Sequence, residues 1–245
     1  MKDLRVGDFV LTGSNKYEVV YAFGHRDPFK ETSFLQLGIM DGRVLELTAN
    51  HMVFTIDKRY PVRAGSIQVG DVLKGDKNQE VVKIDKVTRQ GVYAPLTASG
   101  TVLVDGIVAS SYIALQKEAG EYIAFKNGIK SPFSQQFLAH LGLSPYRIYC
   151  TGFISGFCTS DETMPQYITK GLTLAAWVDE QTSLVQASVF MTFLALMGVC
   201  FGLESLVGPS NVPVALLTLA VLVILRNKSL STSRMVPKTV KTKTL

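Results

Sequence analysis

The segment LRVGDFVLTGSNKYEVV at residues 4–20 returns as IQVGDVLKGDKNQEVVK at residues 67–83. Val-Gly-Asp triplets at 6–8 and 69–71 stand 63 positions apart, and Glu-Val-Val triplets at 18–20 and 80–82 stand 62 apart. A looser echo links GRVLELTANHMVF, from Gly42, to GTVLVDGIVASSY, from Gly100. Two copies are too few to stack as a solenoid, so the repeat predicts one β-unit duplicated and closed on itself about a pseudo-two-fold axis.

The rest of the N-terminal half agrees with that reading. Short runs such as DFVLTG, KYEVVYAF, SFLQLGIM and EVVKIDKV alternate apolar and polar residues and end at Gly, Asp, Asn or Pro, the pattern of many short strands joined by tight turns. Residues 1–120 are therefore expected to form an all-β, duplicated domain. From Glu121 the pattern changes. Residues 121–183 read as an amphipathic or linking segment, in which SQQFLAHLGL has helical spacing and YRIYCTGFISGF either lies in a membrane interface or packs on the β half. Leu184 to Leu203 is twenty residues without a charge, long enough to cross a hydrocarbon core of about 30 Å. After an interruption by Glu204 and GPSN, an apolar stretch ends at Leu225, so residues 184–225 are expected to hold a helix pair, 184–203 and about 206–225. A multi-pass membrane protein of the secretory pathway or plasma membrane is expected, in contact with the lipid bilayer, with a basic tail, 226–245, on the cytosolic side. The alternative is one span and a buried helix, which would set the β half across the membrane from the tail.

Charge excludes one class of partner. The net charge of +5 resides in that tail, where Arg226, Lys228, Arg234, Lys238, Lys241 and Lys243 stand without an acid. The remainder is near neutral, and no nucleic-acid partner is expected. The N-terminal MKDLRVGDFVL is charged and has no apolar segment, so it does not read as a signal peptide. Cys150, Cys158 and Cys200 have neither metal-site spacing nor the look of a disulfide framework, and are expected to serve packing. No cofactor or metal is expected.

The chemistry-bearing stretch is VLELTANHMVF. Thr48 and His51 are three apart, so a flat strand would aim them at opposite faces. A bend or bulge at Ala49–Asn50 would bring both to one site. Alone, the pair also fits a core histidine satisfied by a backbone carbonyl beside an ordinary threonine.

The order KDLRVGDFVL, FGHRDP, FLQL, LELTANHMVF, VGDVL and YAPLTASGTVLVDGIVASSY resembles the Hint (hedgehog/intein) autoprocessing domain of hedgehog-type proteins, over about residues 1–147. The resemblance implies a self-cleaving domain. A cysteine at its first position attacks the preceding carbonyl, a thioester forms, and a second nucleophile, cholesterol in hedgehogs, releases the upstream polypeptide. In the family's Thr-x-x-His motif the imidazole protonates the departing amide nitrogen and the hydroxyl orients the amide; Thr48 and His51 are the matching positions.

Three departures accompany the match. The family nucleophile precedes the segment in which this chain begins, so the chain as written is expected to be inactive, as from a truncated precursor. His25, in FGHRD, stands where hedgehogs carry the acid thought to activate sterol; it could act as a base, which makes water or another alcohol a better expectation than sterol. Ser111, in ASSY, replaces the family's cysteine and removes thiol exchange. Asp27 is expected to make the turn before Pro28, and His140 to be structural. The alternative to autoprocessing is a catalytically silent, membrane-anchored β-module serving as a binding or scaffold domain.

Overall fold

Both copies of the repeat open on the same turn. Gly7 and Gly70 each adopt φ +97°, a conformation that strains any residue with a side chain. Their N–H groups donate to the carbonyls of Val20 (2.9 Å) and Val81 (2.8 Å), and the N–H groups of Val20 and Val81 return bonds to Asp8 and Asp71 at 2.8 Å. The Asp8 and Asp71 carboxylates accept from the N–H groups of Arg5 and Gln68, again at 2.8 Å. The structural counterpart of Val20 is Val81, not the Val82 that the aligned triplets suggest. Val20 and Val81 are fully buried while Val82 is 45% exposed. Because faces alternate with period two, only this register gives each half a core valine there.

The computed structural model of the chain describes residues 1–77, 79–116, 120–153, 158, 164–208 and 211–233. The first copy contributes β1 (Phe9–Leu11), β2 (Tyr17–Val19), β3 (Ala22–Ile39), β4 (Val44–Leu47), β5 (His51–Val53) and β6 (Val62–Arg63). The second contributes β7 (Val72–Leu73), β8 (Gln79–Leu96), β9 (Thr101–Val104) and β10 (Ile107–Ile113). The long strands β3 and β8 run antiparallel from Ala22 opposite Leu96 to Ile39 opposite Val81, so each copy completes the other's sheet. One sheet has the order β4-β3-β8-β7, a second β6-β5-β10-β9. The duplicated, mostly β architecture expected from the repeat is the one present.

Two apolar clusters fill this shell. Leu35, Leu37 and Ile39 from β3 meet Leu45 and Leu47 from β4, with Val53, Leu73, Val81 and Ile107. Alternate residues point inward, as a half-buried strand requires. The second cluster joins Tyr21, Ala22, Met52, Leu96 and Tyr112 to Cys150 and Cys158. Of the aromatic stretch that begins at Tyr146, Tyr146 and Cys150 thus pack on the β half; residues 154–157 lie outside the described residues.

Beyond Ile113 comes a hairpin not anticipated from the sequence, β11 (Tyr122–Ala124) with β12 (Lys130–Ser134). It leads into the expected short amphipathic helix, α1 (Gln135–Gly142), which buries Leu138 and Leu141 and is capped by Ser134 Oγ accepting from Phe137 N–H. Helix α2 (Ser144–Ile148) follows. Cys150 and Cys158 form a disulfide with a Cα–Cα distance of 5.5 Å. This corrects the expectation that the cysteines only pack. Spacing alone does not reveal that the chain returns on itself within eight residues and sets both residues in one cluster.

Three helices complete the described chain: α3 (Gln166–Glu180), α4 (Ser183–Val207) and α5 (Val212–Ser233). Among the described residues α4 alone is long and apolar enough to cross a membrane, and α5 carries a shorter apolar stretch, Val214–Val223. The tail beyond Ser233 lies outside the described residues.

Candidate functional site

Thr48 and His51 are brought together by a departure from the strand. Strand β4 ends at Leu47 and β5 begins at His51; between them Thr48 C=O accepts from His51 N–H at 2.9 Å, which closes a turn over Ala49 and Asn50. This is the bend that the three-residue spacing demands. Partners fix the turn on two sides: Gly65 N–H donates to Ala49 C=O at 2.9 Å and Ala114 N–H to Asn50 C=O at 2.8 Å.

The imidazole is oriented by the other copy. Between Ala109 opposite Val53 and Ile113 opposite His51, β10 carries extra residues relative to β5. Such a bulge re-aims the groups within it, and here it delivers Ser110 C=O to His51 Nε2 at 2.7 Å. A carbonyl only accepts, so Nε2 carries the hydrogen and Nδ1 keeps the lone pair in the neutral ring. Burial holds the His51 pKa below the ordinary histidine value, partly opposed by the bond to Ser110, which keeps the ring uncharged at neutral pH.

The bulge has its own supports. Ser110 Oγ donates to Gln136 Oε1 at 2.6 Å and accepts from Tyr112 N–H at 2.9 Å. Gln136 Nε2 reaches Gly100 C=O at 3.1 Å. Ser110 and Gln136 were not singled out by sequence reasoning. Gln136 stands in the serine–glutamine–glutamine start to α1, which looks like a plain helix cap, and Ser110 is an ordinary strand serine in ASSY. Ser111 is buried, and its hydroxyl has no hydrogen-bond partner among the described residues.

His25, Thr48, His51, Ser110 and Ser111 all line one cleft of about 1350 Å³. Its far wall is apolar and comes from α3 and α4, including Tyr167, Ile168, Leu172, Phe190 and Phe193. Met1 opens into the same space. His25 lies on β3 opposite Ala94, beside an irregularity in the pairing. Burial and then the Lys30 charge lower its pKa, with Asp27 opposing. Asp27 makes the expected turn, its Oδ1 accepting from Phe29 N–H (3.0 Å) and Lys30 N–H (3.1 Å). His140 is placed elsewhere in the fold, with Nδ1 2.8 Å from Tyr112 Oη and its ring against Phe201. Burial, and then the Arg147 charge, lower its pKa to about 4.

Several known proteins share this sequence pattern. The chain is 30% identical to Protein qua-1 of Caenorhabditis elegans over 152 residues, 51% of this chain and 13% of that protein. It is 32% identical to Warthog protein 1 of Caenorhabditis elegans over 124 residues, 46% of this chain and 26% of that one. It is 29% identical to Protein hedgehog of Drosophila melanogaster over 168 residues, 61% of this chain and 31% of that protein. The aligned part is thus under a third of the length of each. Among solved structures, the gp41-1 intein superposes with a TM-score of 0.39 at 15% identity, covering 44% of this chain and 83% of that one. The sequence model of the Hint module matches residues 1–178, a span that takes in the whole duplicated shell and the histidine turn: this chain belongs to the Hint-module family.

Proposed function

We propose that the domain releases a polypeptide joined upstream of it, by an acyl shift in cis. The observation that carries this reading is the His51 turn, with Nε2 fixed on Ser110 C=O and Nδ1 left as a base inside a cleft. A cysteine thiol borne by a segment ahead of Met1 adds to the carbonyl of the preceding peptide bond. Its proton passes to His51 Nδ1 and from there to the departing amide nitrogen as the C–N bond breaks, leaving a thioester. A neutral imidazole has a free lone pair to take the proton, and its lowered pKa makes the resulting imidazolium a ready donor to the departing nitrogen. Thr48, at the other end of the turn, orients the amide.

The second nucleophile is water or an alcohol. Its O–H adds to the thioester carbonyl, the C–S bond breaks, and the thiol is regenerated. His25, in the same cleft and neutral because its pKa is lowered, accepts the alcohol proton and passes it to the departing sulfur. The apolar wall of α3 and α4 favours an alcohol with an apolar body. The helical C-terminal part attaches the domain to a membrane, a reading supported by the length and apolarity of α4.

The test is a precursor carrying a reporter, a cysteine-containing upstream segment and this chain. Added thiol should cleave the reporter off, and His51→Ala should slow cleavage at least 100-fold, the usual scale of a general acid–base contribution. Cleavage that His51→Ala leaves untouched overturns the role of the His51 turn, and no cleavage at all overturns the proposal in favour of a silent binding module.

A further inference from the structure

Helix α4 has the composition of a transmembrane span, but one of its faces is turned to the protein and anchored at both ends by buried polar residues, Gln186 and Glu204. Gln186, Phe190, Phe193, Met197, Phe201 and Glu204 recur at intervals of four and three, and fall within about an 80° sector of the helix. Each meets the body. Gln186 is buried, and its Oε1 accepts from Lys126 N–H at 3.0 Å. Phe190 stacks edge-on to Phe125, and Phe193 touches Gly142. Met197 receives Tyr167 Oη, and Phe201 packs on Phe137 and His140. Glu204 is held by Arg147 and Ser144. The stripe runs about 27 Å along the helix.

A helix so docked cannot cross a bilayer without taking the docked surface with it. That surface includes the short β11–β12 hairpin and the Arg147–Glu204 pair. Hydrocarbon tolerates neither open strand edges nor exposed polar loops. The opposite face of α4 is free and apolar, with Leu184, Met191, Val199 and Leu206 each at least 63% exposed. The preceding helix, α3, carries the chain's single tryptophan, Trp177, about half exposed, while its Lys170 and Leu174 line the cleft. The composition of α4 is that of a span; what argues for the headgroup boundary is that only its outer face is left to meet lipid.

We infer that α4 lies in the plane of a phospholipid membrane, its outer face immersed and its inner face holding the Hint domain against the surface. This rests on the membrane attachment proposed above and replaces a two-span arrangement by one in which α4 does not cross. The lipid surface then forms the outer boundary of the helices that wall the cleft.

Spin labels on the full chain test it, introduced singly as Leu184→Cys, Met191→Cys, Val199→Cys and Leu206→Cys in a Cys200→Ser background and bound to phosphatidylcholine–phosphatidylserine vesicles. All four positions point away from the domain, so the labels leave the docked face intact. Depth is read from the relative accessibility to oxygen and to a polar nickel chelate. The expected result is one shallow depth for all four, agreeing within about 3 Å. A profile deepest at Met191 and Val199 and shallower by roughly 10–15 Å at the two ends overturns the in-plane arrangement while leaving membrane attachment standing. Labels that all stay in water, or a chain that does not bind vesicles, overturn both.

Discussion

Glutamine in place of Glu204 isolates what holds α4 to the domain. Arg147 is 1% exposed and Glu204 8%. The guanidinium engages both carboxylate oxygens, with Nη2 to Oε2 at 2.8 Å, and Ser144 Oγ donates a third bond to the carboxylate. Among the described residues no second anion faces Arg147: its further hydrogen bonds are to His140 C=O at 3.5 Å, and burial keeps the Tyr21 phenol protonated. Glu204→Gln keeps the volume and part of the hydrogen bonding but leaves a buried cation without its counter-charge. Removing one partner of such a pair costs about 3–5 kcal/mol. For a chain of this size each kcal/mol moves Tm by about 2–4 °C, so thermal unfolding in detergent micelles should fall by roughly 6–20 °C. The double variant Arg147→Met with Glu204→Leu removes both desolvation penalties and should recover to within about 2 kcal/mol of the parent. A Glu204→Gln protein that unfolds within about 2 °C of the parent would show that the cation is compensated elsewhere, and would refute the reasoning.

Two further outcomes follow from the same geometry. His140 is neutral in the fold with a pKa of about 4, below the value of about 6.5 it takes when unfolded. Its contribution is therefore present above pH 6.5 and is lost as pH falls toward 4, where the unfolded chain binds the extra proton. At about 1.4 kcal/mol per unit the loss approaches about 3 kcal/mol, and denaturant titrations at pH 7 and pH 4 should show a smaller difference in His140→Gln; equal differences in the two proteins would contradict the placement. Reduction of the Cys150–Cys158 disulfide, which closes a short loop, should lower stability by roughly 2–3 kcal/mol, read as a Tm difference with and without reductant and absent in Cys150→Ser.

What the residues disclose in advance, and what they hide, divides along physical lines. The duplicated shell is legible because Gly7 and Gly70 are needed for one backbone conformation and bring their neighbours with them. Thr48 and His51 are legible as a site because three-residue spacing and strand geometry conflict, and only a turn resolves the conflict. The carbonyl that orients His51 is not legible: any residue could supply it, and what matters is the bulge in β10, which depends on pairing with β5. The docked face of α4 is hidden for a related reason. Its aromatic stripe lies in a run so apolar that no amphipathic contrast marks one side. Glu204, which ends the run, reads as an interruption of a span although it is the helix's strongest attachment. The disulfide is hidden by a loop whose closure depends on the core beneath it.

The imidazole and the carbonyl that aims it come from different copies of the repeat, at positions that no longer match in residue type. A pair of identical units would have to set a histidine, or a bulge, on both sides of the axis, and a perfectly symmetric ancestor could have built such a centre only in duplicate. Joined in one chain, the two units differ here: one supplies the imidazole and the other its mount. Inequality between the halves, more than their likeness, is what sets the histidine turn on one side of the axis alone.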